Sequence, residues 1–149
     1  MQNKSYKTFY LMIAVSSLLM YMAMYLNTYA WDHIFFSEMR LYMSLLMTAI
    51  MAVTMLWFMR HMYTDKKMNQ LIVGGSVALF AVALFLVRSQ VLVDDVDYME
   101  AMIPHHSIAI LASERAQLTD PRVQELADSI ITAQEEEIAQ MKRLIEELD

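Results

Sequence analysis

Three long apolar runs occupy the first 93 residues of the chain. They cover about residues 9–26, 41–59 and 71–87, and no charged side chain interrupts any of them. A helix needs about 20 apolar residues to cross the hydrocarbon core of a bilayer, which is about 30 Å thick. The pattern therefore predicts an integral membrane domain, residues 1–93, with three transmembrane helices.

The pattern changes after residue 93, where polar and apolar positions alternate at three- and four-residue spacing, as in amphipathic helices. The stretch "LTDPR" interrupts the pattern; Asp120 is a suitable helix cap, and Pro121 suits the first turn of a new helix. Asp94, Asp95 and Asp97 are suitable caps for the earlier helix. We expect helices from about Asp94 to residue 117 and over about 121–148, which form an antiparallel hairpin outside the membrane. No β pattern is present, so the predicted fold class is all-α.

The apolar seam of this hairpin is predicted from the same spacing. On the first helix it comprises Met102, His105, Ala109, Ala112 and Ala116. On the second it comprises Val123, Ala127, Ile130, Gln134, Glu137, Met141, Leu144 and Leu148. A turn at residues 119–120 pairs His105 with Gln134 and Met102 with Glu137, so polar and sulfur-containing side chains gather away from the turn.

Charge gives the expected orientation. The apolar part holds 3 acidic and 7 basic residues, whereas residues 94–149 hold 14 acidic and 4 basic ones. Lys and Arg lie before the first run and between the second and third runs, whereas the loop "YAWDHIFFSE" at 29–38, between the first two runs, has none. By the positive-inside rule the N-terminus should be cytoplasmic and the C-terminal hairpin extracytoplasmic. The acidic balance does not favour nucleic acid as a partner.

Methionine is unusually frequent, with 16 residues, and it recurs at every fourth position of the second run. This methionine column consists of Met39, Met43, Met47, Met51, Met55 and Met59. Thioethers are soft, uncharged ligands that suit Cu(I) and, by the same logic, Ag(I). Methionine also packs well between helices, which is the alternative interpretation. The third run is equally apolar and has no methionine, which favours metal handling.

A second set of metal-ligand candidates lies in the hairpin. It comprises Met99, Met102, His105, His106 and Met141, with Gln134 and Glu137 as partners of the imidazole rings or additional ligands. Thiolate sites are excluded because the chain has no cysteine. A mixed thioether–imidazole set suits copper better than zinc or iron. Di-iron bundles need Glu-x-x-His motifs, and residue 102, three before His105, is Met instead of Glu.

Three short motifs resemble the domain-of-unknown-function 305 family. They are "MIPHH" at 102–106, "AI" at 109–110 and "AQEEEIAQM" at 133–141, within a resemblance that covers about residues 94–149. The resemblance implies a small ferritin-like helical domain outside the bacterial cytoplasm, with copper or silver binding in some members. The family's recurrent ligand-type residues fall on Met102, His105, His106, Gln134, Glu137 and Met141. Many members have Met where this chain has Leu111.

These observations lead to one expected function and one alternative. We expect a membrane-anchored protein of the bacterial plasma membrane that binds Cu(I) or Ag(I) and acts in metal tolerance, delivery or transport. Expected partners are the lipid bilayer, further copies of the chain in a homo-oligomer (a trimer as the working form), and a copper exporter or periplasmic copper carrier. No nucleophile–base pair or phosphate loop is present, so we do not expect an enzyme. The alternative is a structural or assembly subunit whose methionines only pack and whose hairpin docks a partner.

Overall fold

The structure is a computed structural model that describes residues Gln2–Leu148, with side chains from Ser5 onward. In this part of the chain there are five α-helices, one short 3-10 helix at Trp31–His33, and no strand. The α-helices are α1 (Gln2–Ala23), α2 (Glu38–Phe58), α3 (Lys66–Ser89), α4 (Asp95–Arg115) and α5 (Pro121–Leu148). The predicted all-α class is confirmed for the residues described.

Three helices are long and apolar enough to cross a membrane, as predicted. The candidate spans are Ser5–Ala23, Glu38–Phe58 and Lys66–Ser89. The first lies earlier than the predicted residues 9–26 because the helix ends at Ala23 and a turn follows over residues 24–27. Leu26, which we assigned to the span, is exposed in this turn.

The chain divides into two compact units. The first unit consists of Met1–Ala23 and Met39–Leu92, and the second of Met24–Glu38 and Val93–Asp149. The second unit therefore includes the loop between α1 and α2, which we had assigned to the membrane domain, residues 1–93. The loop belongs with the hairpin because its side chains and backbone hydrogen-bond to α4 and α5.

The core of the first unit joins its three helices near the start of α1. Its buried members are Tyr6, Phe9, Ala52, Leu56, Tyr63 and Ile72. The Tyr6 hydroxyl donates to Oδ1 of Asn69 at 2.8 Å, and Asp65 caps α3 by accepting from two backbone N–H groups. The N-terminal ends of α1 and α3 therefore lie together. Further along, the Thr48 hydroxyl donates to the Ser17 hydroxyl at 2.7 Å, an interhelical bond of the kind found between membrane helices.

The second unit is built on the α4–α5 hairpin, and its helix ends follow the predicted caps. Asp94 and Asp97 form a reciprocal capping box at the start of α4. Oδ1 of Asp120 accepts the Arg122 N–H at 2.9 Å, and α5 begins at Pro121. Helix α4 ends at Arg115, two residues before the expected end.

The predicted seam of the hairpin is wrong by one residue on α4 and over most of α5, where Ile131, Ile138 and Ile145 take the places predicted for Ile130, Glu137 and Leu144. The buried residues of α4 are Met99, Ile103, Pro104, Ser107 and Ile110, whereas Ala112 and Ala116 are exposed. On α5 the most buried residues are Ala127 and Ile138, and Ile131, Met141 and Ile145 pack against the same core. Burial follows the isoleucines because each removes more apolar surface from water than an alanine does. Consequently His106, instead of His105, lies beside the seam.

Candidate functional site

A pocket of about 520 Å³ lies on the hairpin, away from the turn between α4 and α5. Its lining residues are Asp95, Tyr98, Met99, Met102, His106, Glu137, Gln140, Met141, Leu144 and Leu148. Five of the seven ligand candidates that we predicted for the hairpin are among them. The pocket therefore brings three thioethers, one imidazole and two carboxylates to the same surface.

Helical spacing accounts for this arrangement. Met99, Met102 and His106 are three and four residues apart on α4, so they share one helix face. Glu137 and Met141 are four residues apart on α5 and share the facing side. The position of Met99 is the most restricted, because it is buried at 6% exposure, whereas Met102 and Met141 are half-buried.

The His106 imidazole is held against an acidic partner. Its Nδ1 lies 3.0 Å from Oε2 of Glu137, although the approach lacks the geometry of a hydrogen bond. Burial lowers the pKa of His106 from its usual value; Glu137 opposes this shift, and the neighbouring His105 adds to it. The ring is therefore mainly neutral at pH 7, and a neutral imidazole has a lone pair available for a metal.

Gln134 lies beside this pair but does not line the pocket. Its side-chain N–H donates to Oε2 of Glu137 at 3.3 Å. The observed partner of Glu137 across the hairpin is His106, whereas the predicted register paired Glu137 with Met102 and Gln134 with His105. The displaced seam explains this difference.

His105 is separated from the pocket. It is exposed, it is absent from the lining, and its ring centroid lies 6.3 Å from that of His106. Adjacent residues of a helix point about 100° apart, so one seam cannot take both rings. The two histidines of the "MIPHH" motif consequently occupy different environments.

Sequence reasoning missed several residues of the pocket. They are Asp95, Tyr98, Gln140, Leu144 and Leu148, of which only the two leucines had been assigned to the seam. The seven-residue spacing of Ile103 and Ile110, and of Ile131, Ile138 and Ile145, was the available signal for the true seam. With that seam, Asp95 and Tyr98 fall near Met99 and Met102.

The methionine column of α2 has two environments within the first unit. Met43 and Met47 are exposed, at 38% and 48%, whereas Met55 and Met59 pack against the core cluster. Met39 and Met51 are half-buried. A four-residue step advances about 40° beyond a full turn, so the column winds around α2 and only its later part faces the core.

The donors of the hairpin pocket are not those of a hard metal site. Among the residues that the structure describes, no group of three or more His, Cys, Asp or Glu side chains could hold a metal ion. A metal ion in the pocket would therefore need thioether sulfur among its ligands, and thioethers suit soft ions such as Cu(I).

The fold and this site define a class: an all-helical protein with three helices that could span a membrane and a hairpin that carries a methionine–histidine pocket. A family model described as "Domain of unknown function (DUF305)" matches residues 48–145, and the chain belongs to this family. The match begins in α2, well before the predicted resemblance at residues 94–149. It therefore includes the later methionines of the column, from Met51.

The chain is also similar to a curated protein. The chain is 37% identical over 109 residues to "Uncharacterized protein L153" of Acanthamoeba polyphaga mimivirus. The aligned region covers 71% of this chain and 69% of the relative. No solved structure matches the chain.

Proposed function

We propose that this protein is a membrane-anchored carrier of Cu(I) or Ag(I) that binds the ion in the hairpin pocket and acts in metal tolerance, delivery or transport. The proposed ligands are Met99, Met102, His106 and Met141. Glu137 orients the His106 ring from α5, as carboxylates do around many metal-binding histidines, and Gln134 in turn donates to Glu137.

One observation carries the proposal: three thioethers and a mainly neutral imidazole line a single pocket. Soft ligands of this kind select Cu(I) over the hard divalent ions. The lining contains Asp95 and Glu137 but neither Lys nor Arg, so its charge favours a cation. An apolar packing surface would not need a half-buried histidine whose Nδ1 lies 3.0 Å from a carboxylate oxygen.

The membrane location and orientation rest on the spans and the flanking charges. The loop that precedes α2 and the hairpin that follows α3 belong to one unit. Helices α2 and α3 separate them along the chain, so two crossings return the chain to the same side of a bilayer. We propose a bacterial plasma membrane with a cytoplasmic N-terminus and an extracytoplasmic hairpin. A homo-oligomer, with a trimer as the working form, would bring further copies of the hairpin together. A copper exporter or periplasmic copper carrier would exchange metal with the pocket.

The test compares two adjacent histidines. Purified full-length protein is titrated with Cu(I) against a chromophoric competitor, as wild type, His106→Ala and His105→Ala. We expect His106→Ala to weaken Cu(I) binding by about tenfold or more, because it removes a proposed ligand. His105→Ala should stay within about twofold of wild type, since its side chain is exposed outside the pocket.

The two variants are matched in chemistry and helix propensity, so they control for each other. Equal affinity in all three proteins would contradict the proposed site. A loss of Cu(I) affinity in His105→Ala alone would place the ion beside His105, outside the pocket.

A structural role for the later part of the methionine column is the second candidate. Met55 and Met59 pack against the core cluster of Tyr6, Phe9 and the residues around them. Methionine fills irregular apolar gaps well, so these two residues have a sufficient packing role without a metal. Met43 and Met47 have no comparable burial and remain candidates for metal handling.

A further inference from the structure

The loop between α1 and α2 is anchored to α4 through one buried hydroxyl. The backbone N–H of Tyr29 donates to Oγ of Ser107 at 2.8 Å, and Nδ1 of His33 lies 3.0 Å from the same oxygen. Ser107 is fully buried, at 0% exposure. A buried hydroxyl that loses its partners is costly, so this anchor fixes the loop on α4.

A second anchor joins the same loop to α5. Nζ of Lys142 lies 2.6 Å from Oδ2 of Asp32, and Lys142 is the less exposed of the two side chains. The loop also contributes Phe35, which packs against the isoleucine core between the helices. The loop therefore contacts both arms of the hairpin.

Both anchors lie next to proposed metal ligands. Ser107 directly follows His106 on α4, and Lys142 directly follows Met141 on α5. Consecutive residues of a helix are about 1.5 Å apart along the axis and about 100° apart around it. The loop therefore contacts the turns of α4 and α5 that carry His106 and Met141, on helix faces that do not line the pocket.

We propose that this loop is a latch that sets the spacing of His106 and Met141, so that Ser107, Asp32 and Lys142 are positioning residues for the metal. The inference rests on the proposed function. Metal ligands from two helices must converge on one ion, and small displacements of either helix would separate them. The latch restrains both helices at the level of the pocket before the ion arrives, which reduces the ordering that binding must supply.

A charge-swap series in the full-length protein tests the latch. Cu(I) affinity is measured by competition for wild type, Asp32→Lys, Lys142→Asp and the double swap. We expect each single variant to weaken binding by about tenfold, the lower range for residues that orient metal ligands. The double swap restores the ion pair with reversed polarity and should return to within about threefold of wild type.

Direct electrostatics predicts a different pattern. Lys142→Asp removes a positive charge near a cation site, so without a latch it would tighten Cu(I) binding. Tighter binding in Lys142→Asp, or no recovery in the double swap, would overturn the inference. Ser107→Ala is the neutral counterpart and should also weaken binding by about tenfold. Asp128→Asn, an exposed charge change on α5 away from the loop, is the matched control and should bind as wild type does.

Misfolding and failure of the proposed function give distinct results. Asp32→Asn breaks the ion pair at an exposed side chain without altering the core, and about threefold weaker binding with unchanged helical circular dichroism supports the latch. Normal affinity in both Asp32→Asn and Ser107→Ala would overturn it. A wild-type protein that binds no Cu(I) would overturn the proposed function, and the latch with it.

Discussion

His105 and His106 show how much a single residue's environment depends on the seam. Sequence spacing marked both as candidate ligands, and local chemistry could not separate them. Which histidine faces the pocket depends on the side of α4 that packs on α5, and bulky isoleucines determine that side. Residue types of the pocket were therefore predictable, whereas the choice between adjacent histidines required the packing.

His33 is the residue whose protonation should control the latch. Burial lowers the pKa of His33, and the nearby Lys142 ammonium lowers it further, while Asp32 opposes the shift. Ser107 faces its Nδ1, and Glu135 and Tyr29 line the same small pocket. The docked loop consequently favours the neutral ring more strongly than a free chain does.

We predict that the latch loosens as the solution becomes acidic. The folded-state pKa is depressed for a basic group, so stability is fully present above the unfolded value of 6.5 and declines as pH falls below it. Hydrogen exchange at the Tyr29 amide, corrected for intrinsic rates, should lose about three- to tenfold of its protection between pH 7.5 and pH 5.5. His33→Gln cannot titrate and should show little change over this range; equal pH dependence in both proteins would exclude His33 as the cause.

At the scale of elements, length and capping were more predictable than register. Asp94 and Asp120 cap α4 and α5 as the sequence indicated, because capping is a local property of a few residues. The register of the hairpin was not predictable, since it depends on which of two overlapping apolar stripes buries more surface. The alanine stripe at 109, 112 and 116 and the isoleucine stripe at 103 and 110 both have helical spacing.

The docking of the loop between α1 and α2 had no sequence signal that we recognised. Its contacts join residues that are far apart in the chain, such as Asp32 and Lys142. Local patterns contain no information on such pairs, and a loop with no Lys or Arg among aromatic residues indicated only a membrane boundary. The packing of unit two therefore required the structure.

The methionine column of α2 gives an element-scale prediction with its own control. Met43→Leu with Met47→Leu alters exposed side chains, so it should leave thermal stability nearly unchanged and lower copper or silver tolerance of cells several-fold. Met55→Leu with Met59→Leu alters core-packed side chains and should cost up to about 1.5 kcal/mol of stability. Growth on metal and detergent melting curves measure the two effects. Unchanged tolerance with the exposed pair at normal protein level would mean that the column serves packing alone.

For the whole molecule, the contacts within each unit are those expected if the three apolar helices cross a membrane in alternating directions. The start of α1 is bonded to the start of α3 through Tyr6 and Asn69, as helices that cross alternately in opposite directions require. The loop after α1 is joined to the hairpin after α3, which the same alternation requires. Three apolar runs were sufficient to predict three helices of spanning length, because hydropathy over about 20 residues is a strong signal.

In the proposed function, the thioethers of the hairpin pocket hold a soft metal ion. X-ray absorption at the copper edge, on full-length protein loaded with one equivalent of Cu(I), tests this most directly. We predict that sulfur predominates over nitrogen in the first coordination shell, that this signal persists in the Met43→Leu/Met47→Leu variant, and that it is lost when Met99, Met102 and Met141 are changed to Leu. A shell of nitrogen and oxygen only, or a sulfur signal that survives the loss of these three methionines, would contradict the account.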